Sequence, residues 1–101
     1  MKILISLPSY NEALVIGNVL KTLPKNISGS KLKILVIDDG STDNTSQIAQ
    51  HRADIVLRHA LNQGVGSAIT TAFIYAKRNN FDILVTFDAD GQHQAKDIRR
   101  L

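Results

Sequence analysis

Ile83-Leu84-Val85-Thr86-Phe87-Asp88-Ala89-Asp90-Gly91-Gln92-His93 is an apolar run that opens into two carboxylates. Its first five residues read as a strand buried in a sheet. Asp88 and Asp90 are two residues apart on extended backbone, so they project to the same side. At the carboxyl end of a central strand, that side is where open α/β sheets bind ligands. Two hard oxygen donors projecting together suit Mg²⁺ or Mn²⁺ carried by a diphosphate. The alternative is a polar turn that closes the strand, since Asp and Gly are common in turns.

Working outward, the pattern repeats. Ile3–Leu7, Leu32–Ile37 and Ile55–Leu57 are further short apolar runs without clean polar alternation. Strands of that kind are covered on both faces, as in a parallel sheet flanked by helices. Between them the apolar spacing becomes helical. Asn11–Leu23 carries Ile16, Val19, Leu20 and Leu23, with Asn11 as a candidate N-cap. Asp43–Gln50 follows Ser41 or Thr42 as a cap, with Asp43 at the positive end of the helix dipole. Gly64–Asn79 shows the clearest stripe, at Val65, Ala68, Ile69, Ala72, Phe73 and Ala76. A last helix is expected after Gln94, and Asn26–Lys31 reads as a loop. The order β-α-β-α-β-α-β-(α) predicts an open, doubly wound α/β sheet.

The 101 residues leave room for one small domain or part of a larger one. With no cysteine there is no disulfide framework and no thiolate metal site. The net charge of +3 is spread along the chain, without the basic stripe of a nucleic-acid binder. The apolar start, Ile3 to Leu7, is too short for a signal-peptide core or a membrane span. No phosphate-binding G-x-x-x-x-G-K-[ST] loop and no G-x-S-x-G elbow is present. Gly64-Val65-Gly66 begins like a dinucleotide fingerprint, but the first strand–helix turn, Pro8 to Glu12, has no glycine. These glycines are read as a tight entry into the third helix.

All parallel strands end on one edge, so residues distant in sequence meet there. The four ends are Pro8-Ser9-Tyr10-Asn11-Glu12, Asp38-Asp39-Gly40-Ser41-Thr42-Asp43, the segment from His59 to Gly66, and Asp88-Ala89-Asp90. Like charges gathered on one edge repel, and a bound cation or the donors of a base and ribose give a reason for them. Each residue also has a plain reading. Tyr10 stacks on a base or packs on the sheet edge. Glu12 meets a ribose hydroxyl or serves a helix dipole. Asp38 and Asp39 alternate faces, one supporting the loop while the other accepts from a base N–H, in a turn where Ser and Thr also cap. His93 contacts a metal or phosphate, or is a solvated loop residue.

Taken together, Pro8-x-Tyr10-Asn11-Glu12, Ile37-Asp38-Asp39-Gly40-Ser41-Thr42-Asp43-x-Thr45, Asn62-x-Gly64 and Asp88-Ala89-Asp90-Gly91-Gln92-His93 resemble the family 2 glycosyltransferases of GT-A fold. The flavour is similar to the dolichyl- or polyprenyl-phosphate sugar synthases. The resemblance covers essentially the whole chain. It implies that residues 1–101 are the nucleotide-sugar-binding, Rossmann-like part of a longer transferase domain. It implies inverting, metal-dependent transfer of a sugar from a UDP- or GDP-sugar to a polyprenyl phosphate or saccharide. Pro8, Tyr10, Glu12, Ile37 and Asp39 would line the nucleoside pocket. Asp88 and Ala89 would border the ribose and diphosphate, and Asp90, with Asp88, would hold Mg²⁺ or Mn²⁺ near Gln92. The acceptor side and any catalytic base would lie beyond Leu101, so the chain by itself is expected not to transfer sugar.

An end at a helix start would leave one sheet edge unpaired, which predicts marginal stability or a homo-oligomer. The expected setting is the cytoplasm, at the cytoplasmic membrane face if sequence outside this chain attaches it. Two other readings compete. A nucleotide-sugar-binding or nucleotidyltransferase-like module usually has a Gly-rich, Arg/Lys-bearing loop after the first strand, which Pro8 to Glu12 lacks. A non-enzymatic α/β interaction domain would use its acids only as caps and turns.

Overall fold

The computed structural model describes residues 1–24, 26–27, 29–88 and 95–101. The chain runs β1 (Ile3–Ser9), α1 (Ala13–Thr22), β2 (Asn26–Ile27), β3 (Ser30–Asp38), α2 (Thr45–Gln50), β4 (Ile55–Arg58), α3 (Val65–Arg78), β5 (Ile83–Phe87) and β6 (Ala95–Arg100). β1 lies at the centre, parallel to β3 on one side and to β5 on the other. β4 continues the parallel set beyond β3. The α/β fold expected from the strand–helix alternation is therefore present.

The two sheet faces are covered differently because the side chains alternate along β1. Ile3, Ile5 and Leu7 pack with Ile16, Val19 and Leu20 of α1 and Ala49 of α2. Leu4 faces the other way and packs with Leu35, Ile37, Leu84 and the α3 residues Ala68, Ala72 and Ala76. Those three alanines recur every four residues, so α3 presents a ridge of small side chains to the sheet. β1 is covered on both faces, as its apolar run without clean polar alternation implies. β4 is an edge strand and only partly buried.

Three expectations are corrected. The segment after Gln94 is not a helix. β6 pairs antiparallel with β5, with Val85 opposite Ile98 and Thr86 opposite Asp97. The free edge of β5 offers a full ladder of backbone donors and acceptors, and pairing satisfies them. Hence the β5 edge is not left open. Asn26–Lys31 is also more than a loop: Asn26 and Ile27 pair with Lys31 and Ser30 of β3 around Gly29, whose φ is +80°. Lastly, the helix caps are one to three residues away from those expected. Glu12 and Asn44 occupy the N-cap positions of α1 and α2, and neither makes a side-chain cap bond.

Strand order explains where a ligand can enter. The chain moves from β1 outward to β3 and β4, then returns to the opposite side of β1 as β5. The direction of winding reverses at β1, and the connections leaving the strand ends there part to open a crevice.

Candidate functional site

A cleft of about 250 Å³ lies at that crevice. Pro8, Ser9, Tyr10 and Glu12 line it from the end of β1, Asp39 from the end of β3, Asp88 from the end of β5, and Val65 and Ala68 from α3. Pockets for small ligands run to roughly 300–1,000 Å³, so the described walls suit part of such a ligand. Five of the expected site residues thus meet: Pro8, Tyr10, Glu12, Asp39 and Asp88. Ile37 does not join them; it is fully buried against α3 and supports the floor from within. Ala89, Asp90, Gln92 and His93 lie outside the described residues. Ser9, Val65 and Ala68 were not read as site residues from the sequence, since a small hydroxyl and an apolar helix face carry no chemical signature of a ligand.

The loops that frame the cleft are tied together by short polar side chains. Asn11 adopts a left-handed φ of 51°, which Asn tolerates. Its Oδ1 accepts from the Thr42 N–H at 2.8 Å and from the Thr42 hydroxyl. In return the Asn11 N–H donates to Ser41 Oγ at 2.8 Å, and the Glu12 N–H to Thr45 Oγ1 at 3.0 Å. Asp43 serves two helices at once. Its Oδ1 accepts from the Thr45 N–H at 3.0 Å and from the Thr45 hydroxyl, while Oδ2 accepts from the Ala13 N–H at 3.2 Å. A carboxylate shared by two helix N-termini is stabilised by both dipoles. The hydroxyl of Thr45 and the other donors hold Asp43 below the ordinary carboxylate range against the opposing effect of burial.

Asp38 and Asp39 follow one another and face different surroundings. Asp38 is fully buried. Its Oδ1 accepts from the Ser41 N–H at 2.9 Å, and its Oδ2 from the Ser46 hydroxyl and from Arg58 Nη1 at 3.1 Å. Arg58 also reaches the Ser41 carbonyl at 2.7 Å. Asp39 reaches the cleft. Its Oδ1 accepts from the Gln63 N–H at 2.9 Å and pairs with His59 Nδ1 at 2.8 Å, and its Oδ2 accepts from the Gly64 N–H at 2.7 Å. Burial by itself raises the Asp39 carboxyl, but the His59, Gln63 and Gly64 bonds outweigh it and leave it below the ordinary range. Asp39 is therefore an ionised acceptor at neutral pH.

Two glycines make this geometry possible. Gly40 has φ +77°, and a Cβ there would fall 2.7 Å from the backbone N of Asn62 and the carbonyl carbon of Leu61. The loop after β3 can lie against the loop after β4 only without that atom. Gly64 turns into α3 at φ +96° and points its N–H at Asp39.

The electrostatics of the cleft bear on a metal. Glu12, Asp39 and Asp88 share it, and no Lys or Arg is among the described residues lining it. An anionic diphosphate needs countercharge in such a place. Among the described residues no group of three or more His, Cys, Asp or Glu side chains is gathered to hold a metal ion. Asp88, at the strand end, is a hard-oxygen donor of the kind that Mg²⁺ and Mn²⁺ take. Among the described residues no helix is long and apolar enough to cross a membrane.

Comparison with known proteins fits this arrangement. The family model described as glycosyl transferase family 2 matches residues 5–101. An uncharacterised protein of Methanocaldococcus jannaschii is 45% identical, aligned over 99% of this chain and 40% of its own length. A UDP-N-acetylglucosamine–dolichyl-phosphate N-acetylglucosaminyltransferase of Methanococcus voltae is 35% identical, over 94% of this chain and 43% of its own. The chain thus spans about two fifths of the length of these curated relatives. A mannosyltransferase of Pyrobaculum calidifontis, solved with GDP-Man and Mn²⁺, superposes with a TM-score of 0.70 and 27% identity over 87% of this chain and 27% of that one.

Proposed function

The chain belongs to glycosyl transferase family 2, and from that premise we propose that residues 1–101 are the donor-binding part of an inverting, metal-dependent glycosyltransferase. The donor is a UDP- or GDP-sugar, and the acceptor a polyprenyl phosphate or a saccharide. The observation that carries this reading is the convergence of Tyr10, Glu12, Asp39 and Asp88 from three strand ends on one cleft. The Methanococcus relative, named for a UDP-sugar and a dolichyl phosphate, and the Pyrobaculum structure with GDP-Man and Mn²⁺ support the substrate classes.

Each residue has a task that follows from its place. Tyr10 is 43% exposed at the rim, where a ring can cover one face of a base. Asp39 accepts from a base N–H, Glu12 from a ribose hydroxyl. Asp88, with Asp90, holds the divalent ion that arrives with the diphosphate. When bound, that ion neutralises charge on the departing nucleoside diphosphate. Because an acidic cleft repels a bare diphosphate, nucleotide and metal bind together. The acceptor and any catalytic base are left to sequence outside this chain, at the cytoplasmic membrane face when the acceptor is a lipid phosphate.

The test is calorimetric titration of the chain with UDP and GDP, with and without Mn²⁺, beside Asp90→Ala. Metal-dependent binding of one nucleotide, lost in the variant, is the expected result. Absence of binding by folded protein would contradict the reading and favour acids that serve only as caps and turns.

A further inference from the structure

His59 does not line the cleft, yet it is built into the site through its bond to Asp39. It follows β4 directly, and its side chain is only 12% exposed. Nδ1 lies 2.8 Å from Asp39 Oδ1, and Nε2 lies 2.8 Å from Thr71 Oγ1 on α3. The ring therefore bridges the strand edge and the helix. With the proton on Nδ1, His59 donates to Asp39 and accepts from the Thr71 hydroxyl, which satisfies both nitrogens in the neutral ring.

The consequence falls on Asp39. Each carboxylate oxygen has two acceptor directions. On Oδ1 both are taken, by Gln63 and His59; on Oδ2 one is taken, by Gly64. Among the described residues nothing takes the remaining direction, and Asp39 lines the cleft. Turning the carboxylate about its bond to Cβ would break all three contacts. A fixed, ionised acceptor attracts a ring N–H and repels a ring nitrogen lone pair.

We infer that His59, anchored by Thr71, is a positioning residue that fixes the Asp39 carboxylate with one acceptor toward the ligand, and so makes the cleft select bases with a ring N–H (uracil, guanine) over bases with a ring acceptor (cytosine, adenine). This rests on the donor-site reading above and adds the selecting device.

The test titrates the full chain with UDP, GDP, CDP and ADP in Mn²⁺, with a thermal melt of every variant. The unsubstituted chain prefers UDP or GDP. In His59→Ala the preferred nucleotide weakens on the order of tenfold while CDP and ADP change little, so the preference collapses. His59→Asn, whose amide nitrogen falls close to the Nδ1 position, restores most of it. Thr71→Val removes the outer anchor and weakens the preference by roughly threefold. If His59→Ala fails to fold, the Asn and Thr71 variants decide. A preference unchanged in all folded variants, or an equal weakening of all four nucleotides, overturns the inference and leaves the donor site standing. A folded chain that binds none of the four withdraws both.

Discussion

Asp38 and Asp39 are both nearly covered, at 0% and 5% exposure, and both accept several hydrogen bonds. Those of Asp38 come from Ser41 in the loop that follows it, from Ser46 of α2 and from Arg58, and they close the β3–α2 connection onto β4. Those of Asp39 come from the β4–α3 segment, and they brace a carboxylate that still borders the cleft. Alternation along extended backbone sends neighbouring side chains to opposite sides. Two adjacent identical residues can thus be divided between holding the edge together and meeting a ligand.

The largest expected effect is on the structural side of that division. Asp38→Ala leaves the Ser41 N–H and Ser46 hydroxyl without their acceptor and Arg58 without its partner. A loss of about 3 kcal/mol is expected, which lowers the melting temperature by roughly 10 °C or more. A melt like that of the unsubstituted chain would erase the distinction between the two acids. Gly40→Ala comes next. It forces a Cβ into the Leu61–Asn62 backbone at a left-handed φ, and a loss on the order of 2 kcal/mol in denaturant unfolding is expected.

Acid sharpens the same comparison. Asp39 and Asp43 both titrate below the ordinary value of 3.8 in the folded chain. The folded state then binds fewer protons than the unfolded one in that range. Their contribution is complete above the unfolded value and is lost as pH falls below 3.8 toward the lowered folded values. Unfolding followed from pH 7 to pH 2 should show this loss, and Asp43→Asn should make the acid limb shallower. The smallest effect has the opposite sign. Among the described residues Ser6 Oγ is the buried side-chain polar atom without a hydrogen-bond partner. Ser6→Ala removes it beneath the helix-covered face, and a gain of about 1 kcal/mol is expected; a loss would mean the hydroxyl has a hidden partner.

Much of this was legible in the chain. Mainly apolar runs without clean polar alternation identify β1, β3 and β5, because strands covered on both faces need none. The alanines and apolar residues of α3 show a helical period for the same reason of burial. The strand-end acids follow from topology once the strands are known. His59 was not legible as a partner of Asp39. A single histidine next to an apolar run has no pattern, and its meaning comes from the parallel pairing that sets Arg58 beside Asp38. The available signal was its position, first after a strand and on the ligand edge. Asp43 was assigned to one helix and serves two, since sequence spacing cannot show that α1 and α2 begin side by side. β6 was missed because Ala95–Arg100 alternates poorly, and the open edge of β5 decides its form.

The central claim is that Asp39 meets the ligand while Asp38 holds the edge. Its most direct test is calorimetric titration of Asp39→Asn with the preferred nucleotide in Mn²⁺, beside the unsubstituted chain and with a melt of each. The account predicts an affinity lower by about tenfold or more at a temperature where both chains are folded. Equal affinity in a folded Asp39→Asn chain would contradict it.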